Sequence, residues 1–256
     1  MDQKREHFFI QHMQDLAMRA NQSEYPCFTD FLTSGELSLL CRNVHKFSGV
    51  RVQTFGGHKD CDHKMGGFFP FMYDESEAEK LFPIRCIEVS AVNNKYAKEI
   101  THRDYLGAIL NLGIERSTIG DIRICDQTAY VFCNRELVPF IMSHLDQIRR
   151  TNVSCREIDD IHKIPEQQFD IRHQSVSSLR LDNVISAMVG CARKKAGELI
   201  SQGKVLVDSQ EQNSNSFRCH NQMVMSVRGY GKYRLLFEEE DRTRKGKQKI
   251  TIYKYK

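Results

Sequence analysis

The stretch from residue 178 to residue 233 constrains the fold of this chain more than any other. Two successive runs in it carry apolar residues at helical spacing: Val184, Ile185, Met188, Val189, then Ala192, Ala196, Leu199, Ile200. Gly190 separates the runs and Gly203 follows the second, at positions that favour the end of a helix. Apolar runs at 205–207 and 223–227 predict short strands. The stretch therefore predicts a helix pair followed by antiparallel strands.

Positive charge is concentrated in the same part of the chain. From Arg180 onward there are 16 Lys/Arg and 8 Asp/Glu, although the whole chain has a net charge of only +4. Arg193, Lys194 and Lys195 open the second predicted helix and point away from its apolar stripe. This asymmetry indicates a polyanionic partner for the C-terminal third. The alternative is a solvated basic helix face.

The order of residues here resembles the S4-like RNA-binding domain. The matching residues are Arg180-Leu181-Asp182, Arg193 to Ala196, Leu199-Ile200, Gly203-Lys204-Val205 and Val207-Asp208. We predict that Asp182 caps the first helix, that the helix pair binds phosphates, and that residues of the strand side extend that surface, with Tyr230 or Tyr233 stacking on bases. The predicted RNA-binding residues of this domain are Arg180, Arg193, Lys194, Lys195, Lys204, Arg228, Tyr230, Lys232 and Arg234.

The middle of the chain follows a second pattern. Strands are predicted at 84–92, 119–125, 129–133 and 153–158, and helices at 104–112 and 136–148, with a turn at Asp126-Gln127. The order β-α-β-β-α-β is that of the ferredoxin-like fold. The preceding residues 1–47 are helical in pattern, with a break at Pro26 and a second helix at 35–44 behind Thr33 or Ser34; a strand is predicted at 50–55.

These patterns predict an α+β chain: a helical N-terminal region, a central ferredoxin-like βαββαβ domain and a C-terminal S4-like (αL-type) RNA-binding domain. The predicted boundaries are 1–77 for a mostly helical domain, 78–165 for the central domain, 176–240 for the S4-like domain and 241–256 for a basic tail that becomes ordered on binding. The aromatic run at 66–73 is expected to fill the seam between the first two domains, with base stacking as the alternative.

Residues 58–64 contain three candidate metal ligands, His58, Cys61 and His63. A structural zinc site needs four ligands, usually from two paired knuckles, and no partner pair follows at a recognisable spacing. We expect a solvated turn, no metal and no cofactor.

The run THRDYLGAILNLGIERSTIGDI (101–122) and the run RGYGKYR (228–234) resemble the YlmH-like family of bacterial proteins. The resemblance implies a helical N-terminal part, a central α/β domain and a C-terminal S4-like domain. His102, Arg103 and Asp104 lie inside the first run. Three interpretations are open: a structural helix start, an RNA contact by His102 and Arg103, or acid–base catalysis by His102 and Asp104.

Other sequence features indicate the cellular location of the protein. No stretch approaches the length of a membrane span, no secretory signal is apparent, and the nine cysteines are scattered without CxxC pairs. These observations indicate reduced thiols and a cytoplasmic location.

The combined prediction is a non-enzymatic RNA-binding protein without a membrane or small-molecule partner. The family resemblance implies binding to ribosomal RNA on the large ribosomal subunit, with transfer RNA as a further candidate ligand. It also implies a role in translation quality control or rescue of stalled ribosomes. Two alternatives stay open. One is an RNA-modifying enzyme related to S4-containing pseudouridine synthases, which share the tripeptide Arg180-Leu181-Asp182; the other is a cell-division-linked adaptor.

Overall fold

A computed structural model describes residues 3–93, 100–125, 127–159, 164, 166, 168–208 and 210–255. Contacts divide the chain into two compact units, Met1–Glu166 and Gln167–Lys256. Over the described ranges, none of the helices has the length and apolar character needed to cross a membrane. The nine cysteines are all free thiols.

The first unit begins with helices packed on a small antiparallel sheet. Its elements are α1 (Gln3–Ser23), β1 (Cys27–Leu32), α2 (Ser34–Arg42), β2 (Val50–Phe55), β3 (Lys64–Pro70) and the short α3 (Ala78–Leu81). The strand order is β1-β3-β2. Thr33 starts α2 through a capping box with Glu36, as the sequence predicts. Of these three strands the sequence predicts only β2; β3 is central and buried on both faces, so it lacks the alternation that identifies a strand.

The unit continues with the predicted ferredoxin-like domain. Its elements are β4 (Ile84–Ala91), α4 (His102–Leu110), β5 (Ile119–Cys125), β6 (Thr128–Asn134), α5 (Val138–His144), β7 (Gln147–Ile148) and β8 (Thr151–Ile158). The antiparallel order β5-β6-β4-β8-β7 confirms the βαββαβ topology. Helix α5 is shorter than the predicted 136–148, because Leu145 leaves the helical conformation and Ile148 pairs with Thr151 in a hairpin. Asp126 of the predicted turn lies outside the described residues.

One apolar cluster joins the two parts of this unit. Phe31, Met65 and Phe69 of the N-terminal part pack in the same cluster as Ile84 and Phe132 of the central sheet. Phe69 is therefore buried where the sequence predicts aromatic residues between the two parts. The boundary predicted at residue 77 stays a prediction, since residues on both sides of it share this core.

The second unit is a six-stranded sheet with two helices on one face. Its elements are β9 (Phe169–Val176), α6 (Leu181–Val189), α7 (Arg193–Ser201), β10 (Val205–Val207), β11 (Gln210–Glu211), β12 (Val224–Val227), β13 (Gly231–Leu236) and β14 (Gln248–Tyr255). The strand order is β11-β10-β12-β13-β14-β9. Gly190 ends α6 with a left-handed φ of 70°, which explains a glycine there. The predicted stripes of both helices pack into the core against the sheet, except for Ala192, which is exposed at the N-cap of α7.

The unit is larger than the S4-like domain predicted for 176–240. The prediction of a basic tail at 241–256 is wrong for residues 248–255, which form β14 and pair with β9 along eight positions. Ile250 and Ile252 are buried in the same core cluster as residues of α6 and α7, and this burial holds the strand. Lys256 lies outside the described residues.

Candidate nucleic-acid interface

A buried carboxylate organises the two predicted phosphate-binding arginines. Asp182, in the first turn of α6, has a side chain only 9% exposed. Its Oδ2 accepts hydrogen bonds from Arg193 Nη2 at 2.8 Å and Nε at 3.0 Å. Arg180 donates from Nε to Oδ1 at 3.3 Å and from Nη2 to Oδ2 at 3.2 Å. The predicted capping role of Asp182 is wrong, because no side chain caps α6 and the carboxylate binds the two arginines instead.

The carboxylate is ionised in this setting. Burial alone would raise the pKa of Asp182, but hydrogen bonds and positive charge from Arg180 and Arg193 outweigh burial and hold the pKa below its usual value. The side chains of Arg180 and Arg193 stay 43% and 54% exposed. Two arginine side chains are thus fixed in one orientation while part of each still faces solvent, an arrangement suited to phosphate.

The start of α7 adds to this charge. Arg193, Lys194 and Lys195 occupy its first turn, and no side chain caps the helix at Ala192. Basic residues in the first turn oppose the helix dipole and lower helix stability, whereas an anion bound there would be favoured. Lys195 also pairs with Glu198 at 3.3 Å on the exposed side. We call Arg180, Arg193, Lys194 and Lys195 the basic helix surface.

A loop before β12 borders this surface, and the sequence patterns do not predict its position. The carbonyl of Asn215 accepts a hydrogen bond from the backbone N–H of Asp182 at 3.2 Å. Arg218 forms an isolated antiparallel bridge with Arg180, and its side chain is 78% exposed. Arg218 is therefore a further cation near the basic helix surface, although its guanidinium also pairs with Glu239 at 3.6 Å. The sequence gives no local signal for it, because the bridge joins residues 38 positions apart.

Three predicted residues lie at the other end of α7. Lys204 follows that helix, and its carbonyl accepts a hydrogen bond from the Arg228 N–H at 2.9 Å. Tyr230 is exposed in the β12–β13 turn beside Arg228. At 1.5 Å per residue, the length of α7 separates this group from Arg193 by roughly 12 Å. These residues form a second patch at the far end of the helix.

Lys232 and Arg234 do not extend the basic helix surface, contrary to the sequence prediction. They alternate along β13 with Tyr233 and Leu235, which are buried under the helices. Because successive side chains of a strand point to opposite faces, both cations lie on the sheet face away from α6 and α7. Tyr233 is only 3% exposed and its hydroxyl donates to the Tyr230 carbonyl, so its predicted stacking role is wrong.

His102 and Arg103, the remaining predicted contacts, belong to the first unit. Both are exposed in the first turn of α4. Asp104 closes a capping box with Thr101, accepting from the Thr101 N–H at 2.9 Å and from its hydroxyl at 2.7 Å, and pairs with Arg149 at 3.0 Å. Hydrogen bonds from Thr101 lower the pKa of Asp104. These contacts support the structural interpretation of Asp104.

The loop at 58–64 is packed rather than a solvated turn. His63 Nδ1 donates to Asp121 Oδ1 at 2.6 Å, while Arg116 Nη2 lies 3.3 Å from Nε2. Since arginine only donates, Nε2 accepts and Nδ1 carries the proton. Cys61 is buried, which raises the pKa of its thiol to about 12. The part of the chain that the structure describes contains no group of three His, Cys, Asp or Glu placed to hold a metal ion.

Comparison with known protein families identifies two domains. Residues 78–162 match the family described as "Putative RNA-binding domain in YlmH". Residues 179–224 match the S4 domain family. The first match covers the ferredoxin-like domain, and the second covers the basic helix surface.

Two known proteins resemble the chain over larger parts. The "Ribosome-associated protein quality control protein P2" of Bacillus subtilis (strain 168) is 29% identical over 233 residues, which cover 89% of this chain and 87% of that protein. The solved structure of "Cell division protein ylmH from Streptococcus pneumoniae" aligns with a TM-score of 0.50 at 22% identity, over 63% of this chain and 95% of that one, and shows similarity of fold. The chain therefore contains a YlmH-type RNA-binding domain followed by an S4 domain, and these two matches identify it as YlmH-like.

Proposed function

We propose that this chain binds structured RNA of the large ribosomal subunit and acts in translation quality control, as a binding protein without catalytic activity. The observation that carries the proposal is the basic helix surface, in which Asp182 fixes Arg180 and Arg193 beside the uncapped start of α7. Oriented guanidinium groups and free helix N–H groups bind phosphates without reading sequence, as proteins do on folded RNA. Transfer RNA on the same ribosome is a further ligand in this proposal.

The similarity to the Bacillus subtilis protein supports the ribosomal part of the proposal. Its name describes a ribosome-associated protein of quality control, and the alignment with it covers 89% of this chain. The YlmH RNA-binding domain and the S4 domain both support RNA as the ligand. A cytoplasmic location follows from the proposal.

Sedimentation through a sucrose gradient tests the proposal. At low salt the full chain should migrate with the large ribosomal subunit and leave it at high salt, because phosphate contacts release counterions. The double variant Lys194→Ala/Lys195→Ala should migrate less with the subunit. Its affinity for purified subunits should depend less on salt, the log–log slope falling by about two.

A matched control removes the same charge elsewhere. Lys59→Ala/Lys80→Ala changes two exposed lysines of the first unit. It should leave sedimentation unchanged.

If the wild type stays at the top of the gradient at low salt, the ribosomal proposal is wrong. If both double variants lose binding to the subunit equally, the effect is one of general charge, and the basic helix surface is not the binding site.

A further inference from the structure

A second surface lies on the sheet face away from α6 and α7. It is formed by side chains of β13, β14 and β9, and we call it the outer sheet face: Lys232, Arg234, Tyr253, Tyr255, Phe169 and Ile171. The register places Arg234 opposite Tyr253, Tyr253 opposite Ile171, and Tyr255 opposite Phe169. Of these six residues, only Lys232 and Arg234 belong to the predicted RNA contacts, and β13, β14 and β9 lie outside the residues matched by the S4 family.

Aromatic rings and cations contact one another on this face. The Phe169 ring lies 5.5 Å from Tyr253 and 5.0 Å from Tyr255, both edge to face. The Lys232 ammonium lies 4.8 Å from the centre of the Tyr255 ring, and the Arg234 guanidinium lies 5.6 Å from the Tyr255 and Phe169 rings. Ile171 beside them is 50% exposed. The face thus presents flat rings, held by their neighbours, with positive charge directly on them.

Positive charge predominates in the described strands of this sheet. Strands β12, β13, β14 and β9 contain a single acidic residue, Asp170. Asp170 alternates with Phe169 and Ile171, so it belongs to the other face, where it pairs with Arg172 at 3.0 Å. A polyanion with planar bases uses both the cations and the rings of this face.

We propose that the outer sheet face binds a single-stranded RNA segment, with bases stacked on the rings of Tyr253, Tyr255 and Phe169 and phosphates paired with Lys232 and Arg234. The proposal rests on the RNA-binding function proposed above but uses a different surface. The basic helix surface has cations and no aromatic ring and suits folded RNA, whereas the outer sheet face has the stacking groups that unpaired bases require. The S4 unit would then bind paired and unpaired RNA on its two opposite faces.

Fluorescence anisotropy with the full chain tests this division of roles. The probes are a labelled RNA oligonucleotide that cannot pair with itself and a labelled RNA hairpin. Ile171→Glu puts a carboxylate on the face without removing a ring contact, and Tyr255→Ala removes a stacking ring. Each should bind the single strand about tenfold more weakly while hairpin affinity changes less than about twofold. Lys194→Ala/Lys195→Ala should show the opposite preference.

The outcomes separate the two proposals. Wild-type affinity for the single strand in both Ile171→Glu and Tyr255→Ala overturns this inference, and so does a wild type that binds the hairpin but not the single strand. Failure to bind either probe counts against the RNA-binding function itself. Thermal unfolding checks the fold; if Tyr255→Ala does not fold, Ile171→Glu and Lys232→Gln decide. Unchanged single-strand binding with loss of Ile171→Glu from ribosomal particles would assign the face to a protein and overturn the RNA assignment.

Discussion

Arg193, in the first turn of α7, places its Nη2 atom 2.8 Å from Oδ2 of Asp182, in the first turn of α6. This contact joins the starts of two helices whose apolar stripes pack in the same core. The orientation of the helix pair and the orientation of a candidate phosphate-binding group therefore depend on one carboxylate.

Replacing the Asp182 carboxylate distinguishes the effect of arginine orientation on RNA binding from the effect of net charge. Asp182→Asn keeps the shape of the side chain but leaves the two arginines without an anion, so the free energy of unfolding should fall by about 2 kcal/mol. RNA affinity should also fall, although the variant is one unit more positive. Chemical denaturation and RNA titration measure the two effects. Glu198→Gln is the matched control, since it adds the same charge through the exposed pair with Lys195 and should leave RNA binding equal or stronger.

The contribution of Asp182 to stability should depend on pH. Its pKa is lowered in the folded protein, so the ionised form is favoured by folding and its contribution is complete above the unfolded-state pKa of about 3.9. The contribution is lost as the pH falls through the lower folded-state pKa. The difference in unfolding free energy between the wild type and Asp182→Asn should therefore be constant near neutral pH and shrink in acid. A difference that grows on acidification would contradict this assignment.

The capping contacts at the start of α4 should contribute to the stability of the folded protein. Thr101→Ala removes the hydroxyl hydrogen bond to Asp104, keeps the one from the backbone N–H, and should cost about 1 kcal/mol of unfolding free energy. Arg103→Ala, at an exposed position of the same turn, should stay within about 0.5 kcal/mol of the wild type. Thermal or chemical denaturation compares the two. Equal losses would mean that the capping box contributes little.

Asp121 should hold the 58–64 loop in place. It accepts from the backbone N–H groups of Asp62 at 2.6 Å and His63 at 3.2 Å as well as from the His63 ring. Asp121→Ala should therefore speed amide hydrogen exchange at Asp62 and His63 and lower the unfolding free energy by about 2 kcal/mol. Lys59→Ala, which breaks only an exposed pair with Glu166, should leave exchange at these amides unchanged.

Local patterns predicted much of the fold, and contacts between distant residues account for what was missed. The stripes at Val184 and Leu199 and the strands of the central domain follow from spacing along the chain. The sequence does not predict the pairing of Asp182 with Arg193, because Arg193 is eleven residues away and comes close only when the helices pack. The placement of Lys232 and Arg234 could have been predicted, since Tyr233 and Leu235 alternate with them. Strand β14 could also have been predicted, since Ile250 and Ile252 alternate with Thr251 and Tyr253, which favour strands.

The pairing of β9 with β14 sets the order in which the second unit can be completed during synthesis. The paired positions, such as Val176 with Gln248 and Phe169 with Tyr255, lie 72 to 86 residues apart in the chain. At translation rates of about 5–20 residues per second, roughly 4 to 16 s pass between the synthesis of β9 and the synthesis of its partner strand. During that time Phe169 and Ile171 are part of an open strand edge. The aromatic cluster of this face is therefore the last part of the unit to form, after the helix pair has left the ribosome.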